Sequence, residues 1–575
     1  MKLLELRPDR ALLKTNFDGY KLTLEPIPVL RTELTEQMQP DRVRPSEQQF
    51  SCLHAQVFGL QNHLVRDPWA AGNCYFIDRS WIIRQIRYDE NDGRLRPLSS
   101  AYKLGRKRGP RRSGDYNCTL LFLSEKYALI ADGQGSLVVV DTGDRQRGGE
   151  WKEKFIFPEI EELNEGFVLL DGRFEIVNGE RQIHAIGLSV KQQQTEAGFE
   201  SYIYWLKAIQ APDSNQEWTY HSLRVLEGRG FPSYCALEPK GAALIVVSDK
   251  PFQFTKDSEN PILPAAEQAT TDNQEQKNGI VQSPCCFDWT QTLDDIVIKI
   301  PKEEEINYRI TNENGILKVV REEVTILDGE ALFADVDPEL TSWTNEKHEL
   351  QITLFKKNAG TMWPFLIAGG PEEVRDGPAN EEDMPPVSNL TSQLEECDFG
   401  MEGQEQGTEY TIERLDVISH ECSHKAFLGN NAPLFAVSLR PGFPLALALR
   451  QDVDGCVWLQ QHTGGPDWSL RHEGTLHAFG YVQASKRQRK FMSCSPDLDY
   501  AVICEAERHV FIYKSSYGGT ASGLRNRNGP QVSIGQQKLV TLEGSGEILG
   551  ICCENDYTIL LTETHILVLQ LRIEE

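Results

Sequence analysis

Three residues, His420, Glu421 and His424, form the pattern His-Glu-x-x-His within the stretch VISHECSHKAFLG. On a helix, the two histidines of this pattern share one face and bind zinc, and the glutamate acts as a general base in hydrolysis. The pattern therefore raises the hypothesis of a zinc-dependent protease.

The sequence around this pattern does not favour a helix. Leu415 and Val417 alternate with polar residues as in a strand, and Gly429 follows soon after the second histidine. On a strand, His420 and His424 would lie ~13 Å apart at ~3.3 Å per residue, too far for one zinc ion. We therefore interpret both histidines as strand or loop residues, and we expect no catalytic residue, no metal site, no cofactor and no enzymatic activity.

A second stretch that could have a function is a run of basic residues in an otherwise acidic chain. The chain has 59 basic and 85 acidic residues and a net charge of −26, which disfavours binding to phosphate backbones. Three interpretations remain open for the run: a solvated loop, a nuclear-import tract or a local nucleic-acid contact. The candidate import residues are Lys103, Arg106, Lys107, Arg108, Arg111 and Arg112.

The elements around these stretches follow one repeating phrase, an apolar strand, a polar turn and a second apolar strand. The phrase begins near positions 74, 127, 181, 243, 445, 500 and 558, mostly about 55 residues apart. Hairpins repeating at this period are typical of β-propeller blades, which pack against each other because one small sheet cannot bury both of its faces alone. The pattern predicts an all-β fold, a propeller of about seven blades.

One step of the repeat is too long, because the phrases at 243 and 445 are 202 residues apart. An insertion between two consecutive blades explains this step, since exposed loop tips tolerate inserted domains; two unrelated β domains are the alternative. We also expect the last strand, near residues 566–571, to pair with an early strand such as residues 20–24 and to close the ring.

The predicted domain boundaries follow from the insertion. Residues 1–256 and 411–575 form the two parts of the propeller, and residues 257–284 form a polar linker. Residues 371–410 contain twelve acidic residues and one arginine, so we expect this second linker to be disordered. Residues 285–370 lie between the linkers, show alternation of period two and contain the turn dipeptides Asn314-Gly315 and Asp328-Gly329, which predicts an antiparallel β-sandwich.

Short motifs give this sandwich a family resemblance. They are WTQTLDD at 289–295, LDGEAL at 327–332, Ser342-Trp343, KKN at 356–358 and Trp363-Pro364. With these motifs the segment resembles the CS domain of the NudC (nuclear distribution C) family. The runs FDGYKLTLEP at 17–26, GYVQASKR at 480–487 and VFIY at 510–513 resemble one member of that family, so the resemblance covers essentially the full chain.

The resemblance implies a co-chaperone that carries no active site. Its partners would be the ninety-kilodalton heat-shock chaperone and client proteins, among them β-propeller proteins. The propeller would hold a folded client, and the CS domain would engage the chaperone or the client. The alternative is a propeller-based interaction adaptor with no chaperone role.

The motifs also supply the candidate interaction residues. Large amphipathic side chains such as tryptophan suit either a core or an interface anchor, and the sequence leaves both interpretations open. The candidates are Trp289, Thr290, Gln291, Leu293, Trp343, Trp363 and Pro364.

Composition sets the expected location. No stretch approaches the ~20 apolar residues that cross a bilayer, so we expect no membrane contact. Thirteen cysteines without a disulfide-like spacing indicate reduced thiols, and with the basic run they predict a cytoplasmic and nuclear protein.

Overall fold

The computed structural model describes residues 1–575 with gaps. The ranges outside the description are 106–108, 193–197, 212–216, 263–287, 293–294, 302–307, 314–315, 322–323, 329–331, 334–335, 346–348, 358–362, 364–365, 367–408, 463–466, 487, 516–523, 526–530 and 573–575.

The described residues outside the CS segment form seven small sheets, here called blades 1 to 7 in chain order. The strands of the first three blades are as follows. Blade 1 has Val65–Arg66, Asn73–Ile77, Ile82–Asp89 and Ser99–Lys103, with Arg94–Leu95 pairing beside the third; blade 2 has Thr119–Phe122, Tyr127–Ala131, Leu137–Asp141 and Lys152–Ile156; blade 3 has Val168–Val177, Glu180–Gln192, Phe199–Gln210, Thr219–Gly228 and Phe252–Asp257.

The remaining blades include strands from distant parts of the chain. Blade 4 has Tyr234–Leu237, Ala243–Ser248, Tyr410–Asp416, Cys422–Gly429 and Lys2–Leu3; blade 5 has Phe435–Val437, Ala446–Gln451, Asp454–His462 and Trp468–Leu476; blade 6 has Arg489–Cys494, Tyr500–Glu505, His509–Lys514, Gln531–Thr541 and Phe17–Leu22, with Leu524–Arg525 pairing beside the fourth; blade 7 has Ile548–Cys553, Tyr557–Thr562, His565–Gln570 and Val29–Glu33.

Helices are few among the described residues. The two α-helices are α1, Cys52–Gly59, and α2, Phe479–Ala484; the 3-10 turns are Arg10–Leu12, Glu36–Met38, Glu161–Leu163 and Pro239–Gly241. In the described part of the chain, no helix has the length and apolar character that crossing a membrane requires.

The hairpins form for local reasons that the sequence shows. In blade 2 the turn is Asp132-Gly133-Gln134, and the Asp132 carboxylate accepts hydrogen bonds from the backbone N–H of Gln134 at 2.8 Å and of Ser136 at 2.9 Å. Gly133 has a φ of +73°, and a Cβ there would lie 2.1 Å from the carbonyl oxygen of Tyr116. Glycine is therefore required at this turn, because any side chain would collide with the neighbouring backbone.

Seven buried clusters join the blades into a ring. Each cluster contains apolar residues from two neighbouring blades, and burying one such side chain stabilises the fold by about 1.5–3 kcal/mol. Representative pairs are Ile83 and Val140, Leu129 and Tyr204, Leu188 and Val246, Ile245 and Trp458, Leu459 and Ile503, Ile512 and Leu560, and Val568 and Phe76. The last pair links blade 7 to blade 1, so the ring is closed and the predicted β-propeller is confirmed.

An early strand pairs with the last strand and closes this ring, as expected, but it is a later one than the example given. His565–Gln570 pairs antiparallel with Val29–Glu33, not with residues 20–24. Phe17–Leu22 instead runs parallel to Gln531–Thr541 in blade 6, and Lys2–Leu3 runs parallel to Cys422–Gly429 in blade 4. Several N-terminal segments have a similar strand pattern. Periodicity in the sequence does not show which of them pairs with the last strand of blade 7.

The insertion has about the expected bounds in the sequence, residues 265–400, but it lies within a blade and not between two consecutive blades. It interrupts blade 4 between its second and third strands, because Ala243–Ser248 pairs with Tyr410–Asp416. The phrase that begins at 243 is not one hairpin, since its second strand, Phe252–Asp257, pairs with Thr219–Gly228 of blade 3. Sequence spacing counts strands, but it does not assign a strand to one of two adjacent sheets.

The chain divides into two compact units. One contains residues 1–264 and 401–575, and the other contains residues 265–400. The second unit has a four-stranded sheet in the order Asp288–Gln291, Asp295–Pro301, Glu349–Lys356 and Val336–Asn345, and a three-stranded sheet of Tyr308–Glu313, Ile316–Arg321 and Val324–Asp328. Buried residues that include Ile298, Val319 and Ile352 form its core, so the predicted antiparallel sandwich is confirmed.

Candidate interaction sites

The His-Glu-x-x-His segment of blade 4 is a hairpin turn followed by a strand. Tyr410–Asp416 ends before the first histidine, and Cys422–Gly429 contains the second. His420 has a φ of +59°, in the left-handed region, which an α-helix does not use. The two histidines therefore do not share a helical face, and the arrangement that a zinc protease needs is not formed.

Each imidazole is committed to a different contact. His420 Nε2 lies 2.9 Å from Asp257 Oδ2, and that carboxylate oxygen also accepts a hydrogen bond from Arg224 Nε at 2.8 Å. His424 is buried, with Nδ1 3.1 Å from Ser423 Oγ. Among the described residues, no group of three or more His, Cys, Asp or Glu side chains is arranged to hold a metal ion.

Asp257 makes the first histidine part of the propeller's structure. Its carboxylate also accepts hydrogen bonds from the backbone N–H of Glu259 at 2.8 Å and of Asn260 at 3.1 Å, where the chain leaves blade 3 toward the insertion. Burial disfavours ionisation of Asp257, but the hydrogen bonds from His420, the backbone and Arg224 outweigh it and lower the pKa. His420 thus fastens the outgoing chain to blade 4.

Substitution of this histidine should affect stability and leave metal content unchanged. We expect His420→Ala to lower the free energy of unfolding by about 1.5–3 kcal/mol, the usual value of a hydrogen bond to a charged group. Urea denaturation measures the loss, and Glu421→Ala, at the exposed turn, is the matched control with an expected change within about 0.5 kcal/mol. Stoichiometric zinc in the purified protein, lost in His420→Ala, would contradict this assignment.

Two of the candidate tryptophans of the CS segment lie in its core. Trp289 is 1 % exposed and Trp363 is 4 % exposed, and both belong to the buried cluster of the sandwich. Thr290 is half-buried beside them. Leu293 and Pro364 lie outside the described residues.

Gln291 holds the end of the segment to the first strand. Its Nε2 donates to the carbonyl oxygen of Trp363 at 2.8 Å, and its Oε1 accepts from the backbone N–H of Trp363 at 2.7 Å. Lys356 Nζ donates to the same Oε1 at 2.8 Å and to the carbonyl oxygen of Thr292 at 2.7 Å. The glutamine side chain therefore takes the place of a backbone partner for both the N–H and the C=O of Trp363.

Removal of this amide should loosen the sandwich. We expect Gln291→Ala to destabilise it by about 2–4 kcal/mol, because the N–H and C=O of Trp363 and the Lys356 ammonium lose partners together. Hydrogen exchange of the full chain should show faster exchange in Glu349–Lys356. Thr344→Ala, on the exposed edge of the same sheet, is the control, and equal protection in both variants would contradict the role of Gln291.

The third tryptophan differs, because Trp343 is 45 % exposed. It lies opposite Ile352 in the strand register, and Ile352 is fully buried. Cross-strand neighbours face the same side of a sheet, so Trp343 points to the core side. It remains accessible because Val336–Asn345 is the last strand of the four-stranded sheet, and an edge strand presents unpaired backbone groups to partners.

The structure does not keep the basic run together as one exposed surface. The Arg111 guanidinium pairs with Asp41, donates to the carbonyl oxygens of Tyr116 at 2.6 Å and Asp132 at 3.1 Å, and lies 4.8 Å from the centre of the Trp81 ring. Arg111 is therefore part of the junction between blades 1 and 2. Lys103 and Arg112 are exposed, and residues 106–108 lie outside the described residues.

A cavity that the sequence did not predict lies where the seven blades meet. It has a volume of about 580 Å³ and is lined by residues from all seven blades, mostly from or beside their first strands. Inside it, Arg66 Nε and Nη2 each donate to Glu554 at 2.8 Å, so an arginine of blade 1 pairs with a glutamate of blade 7. The lining comes from segments far apart in sequence, and no local motif marks it.

Comparison with known proteins adds three findings. Residues 285–356 match the family model of the CS domain. Over 605 residues the chain is 28 % identical to NudC domain-containing protein 1 of Mus musculus, covering 99 % of both chains; for the protein of the same name from Xenopus laevis it is 26 % identical, covering 97 % of both. The β-propeller domain of Cps50 (Swd1) from Myceliophteria thermophila covers 89 % of this chain and 100 % of its own at 9 % identity, with a TM-score of 0.31. The resemblance to the NudC family is confirmed.

Proposed function

Because the chain is homologous over nearly its full length to NudC domain-containing proteins and contains a CS domain, we propose that it is a non-enzymatic co-chaperone and scaffold. The propeller holds a folded client protein. The CS domain engages the ninety-kilodalton heat-shock chaperone or the same client. Tethering both modules in one chain raises the local concentration for the second contact.

The observation that carries this proposal is the exposed Trp343 at the edge of the CS sandwich. Tryptophan is enriched among the residues that dominate binding energy, because its large ring buries much apolar area and loses little conformational freedom. Trp289 and Trp363 are buried in the sandwich core, which leaves Trp343 as the accessible tryptophan among the described residues of the segment.

A substitution at this position tests the proposal. We expect Trp343→Ala to weaken binding of the purified ninety-kilodalton chaperone by about tenfold or more, as for a central interface tryptophan. Thr344→Ala is the matched control, because Thr344 is exposed on the same strand but faces the opposite side of the sheet. Equal affinity of wild type and Trp343→Ala would refute this role for Trp343.

A propeller adaptor with no chaperone role is the second candidate. Trp289, Gln291 and Trp363 make their contacts within the sandwich, which favours this candidate. These motif residues are then needed for folding and do not themselves indicate a chaperone partner. Protection of a heat-labile client against aggregation separates the two functions. A co-chaperone suppresses aggregation at stoichiometric ratios, whereas an adaptor leaves light scattering unchanged.

We also propose that the protein occurs in both cytoplasm and nucleus, with the basic run acting as an import tract. The variant that tests this tract must leave Arg111 unchanged, because its guanidinium donates a hydrogen bond to a backbone carbonyl of the propeller. A fluorescent fusion in which Lys103, Arg106, Lys107, Arg108 and Arg112 are replaced by glutamine should lose its nuclear signal. Unchanged distribution would reject the tract.

A further inference from the structure

Two cysteines face each other where the ring closes, at the junction of blades 7 and 1. Cys552 lies on the first strand of blade 7 and Cys74 on the second strand of blade 1, and both belong to the buried cluster that joins these blades. Successive side chains on a strand point to opposite faces. Cys553 accordingly packs toward blade 6 and Tyr75 toward blade 2, which leaves Cys552 and Cys74 on the two faces that meet.

The backbones that carry this pair are held on both sides of the junction. The side chain of Asn62 donates to the carbonyl oxygen of Ile551 at 2.8 Å and accepts from the backbone N–H of the same residue at 3.0 Å. Arg66 pairs with Glu554 and lies opposite Cys74 in the register of blade 1. The first strand of blade 1 is therefore fixed against the first strand of blade 7, beside both cysteines.

The two thiols are in contact and are both free. The Cys552 thiol shares a hydrogen bond with the Cys74 thiol, and this bond together with burial raises the pKa of Cys552 well above its ordinary value. Oxidation of a thiol proceeds through its thiolate, so a raised pKa makes the reaction slow and keeps the pair reduced under ordinary conditions. A contact between two thiols is also the starting arrangement from which a disulfide forms without a large movement of the backbone.

A small oxidant can reach the pair through the cavity at the centre of the propeller. Cys552 lines this cavity and is 4 % exposed, whereas Cys74 is fully buried. Phe443 also lines the cavity and is 53 % exposed, so the cavity extends to the protein surface. Its volume of about 580 Å³ admits hydrogen peroxide, since a water molecule occupies only about 30 Å³ in the liquid. The oxidant therefore meets Cys552 first.

We propose that Cys74 and Cys552 form a reversible disulfide that joins blade 1 to blade 7 when the protein is exposed to hydrogen peroxide. The sulfur of Cys552 attacks one peroxide oxygen, the O–O bond breaks, and the other oxygen leaves as water with the thiol proton, so that Cys552 becomes a sulfenic acid. The sulfur of Cys74 then attacks the sulfenic sulfur, the S–O bond breaks, and a second water leaves. Two thiols are oxidised to one disulfide and one peroxide is reduced to two waters; a dithiol reverses the reaction by exchange.

The disulfide makes closure of the ring covalent. Residues 74 and 552 are 478 positions apart, and a cross-link that closes so long a loop strongly restricts the unfolded chain. In the reduced protein, the strand Val29–Glu33 completes blade 7. In the oxidised protein, blades 7 and 1 stay joined even when that strand separates. Oxidation therefore stabilises the propeller, and this effect is independent of the proposed chaperone and client binding.

Peptide mapping of the full-length protein tests the disulfide directly. The protein is treated with hydrogen peroxide, its remaining thiols are alkylated, and it is digested with trypsin without reductant. We expect a linked pair of peptides, residues 67–79 and 539–572, that separates on addition of dithiothreitol. Fragment ions of the linked pair should place the bond at Cys552. Absence of the link, or a bond at Cys553, would overturn the proposal.

Two alanine variants check this assignment. Cys552→Ala should abolish the link. Cys553→Ala is the matched control, because Cys553 is the neighbouring buried thiol on the same strand but faces blade 6, and the link should form in it as in the wild type. A link that persists in Cys552→Ala would also overturn the proposal.

Thermal melting tests the effect on the ring. We expect the melting temperature to rise by about 5 °C or more on oxidation and to fall back on reduction. Cys74→Ala should show no rise, whereas Cys235→Ala, which removes a buried thiol of blade 4, should keep it. An unchanged melting temperature in protein that contains the link would contradict the inference that the disulfide holds the ring closed.

Discussion

Deletion of residues 1–33 should leave a propeller that is largely unfolded at room temperature. These residues supply a strand to each of blades 4, 6 and 7, with twelve residue pairs in register. At about 1 kcal/mol per ladder hydrogen bond, the loss is on the order of 10 kcal/mol, comparable with the whole stability of a domain. Circular dichroism and thermal melting of the truncated chain measure the effect.

Two controls separate ring closure from a general effect of truncation. Deletion of residues 1–7 removes the Lys2–Leu3 strand but keeps the blade 7 strand, and should cost only roughly 2 kcal/mol. Adding a synthetic peptide of residues 8–34 to the longer truncation should restore cooperative melting. A truncated chain that melts within about 2 °C of the full protein would show that Val29–Glu33 does not hold the ring closed.

Asp67→Ala should destabilise the propeller by about 3–5 kcal/mol. Asp67 and Arg145 are almost fully buried at the junction of blades 1 and 2, where Arg145 Nε and Nη2 donate to the carboxylate at 2.5 and 3.0 Å. Removing the carboxylate leaves a buried guanidinium without its counter-charge, although Arg145 keeps its hydrogen bonds to Thr142 and backbone carbonyls. Urea denaturation gives the change in the free energy of unfolding.

The matched control is an ion pair of the same types at the surface. Arg147 and Asp144 lie 3.2 Å apart with side chains that are 88 % and 55 % exposed, so Asp144→Ala should change stability by less than about 1 kcal/mol. The double variant Asp67→Leu with Arg145→Met should recover part of the loss, because no unpaired charge stays buried. An equal loss of unfolding free energy in Asp67→Ala and Asp144→Ala would mean that burial does not determine how much the ion pair contributes to stability.

The sequence predicted the hairpins well because their signals are local. Asp132-Gly133 fixes a turn through its own carboxylate and a left-handed glycine, and the strands on either side are continuous apolar runs. Assignment of strands to sheets depends on contacts between distant segments. Phe252–Asp257 therefore looked like the partner of Ala243–Ser248, although it belongs to blade 3.

The candidate residues divide in the same way. The WTQT motif marked the CS segment correctly, but only burial separates Trp289, which packs in the core, from Trp343, which stays accessible. The His-Glu-x-x-His pattern has the right spacing in the wrong backbone conformation, with His420 in a turn. The cavity lined by all seven blades could not be predicted, because lining residues such as Arg173 and Phe443 are 270 positions apart and meet only when the ring closes.

The central claim is that the inserted CS segment recruits a chaperone to a propeller that holds a client. Quantitative affinity purification tests it most directly, comparing the full-length chain with a chain that lacks residues 285–370, after melting shows that the propeller is intact in both. We predict that the ninety-kilodalton chaperone and a group of client proteins are lost together from the shortened chain. Recovery of the same partners in equal amounts from both chains would contradict the claim.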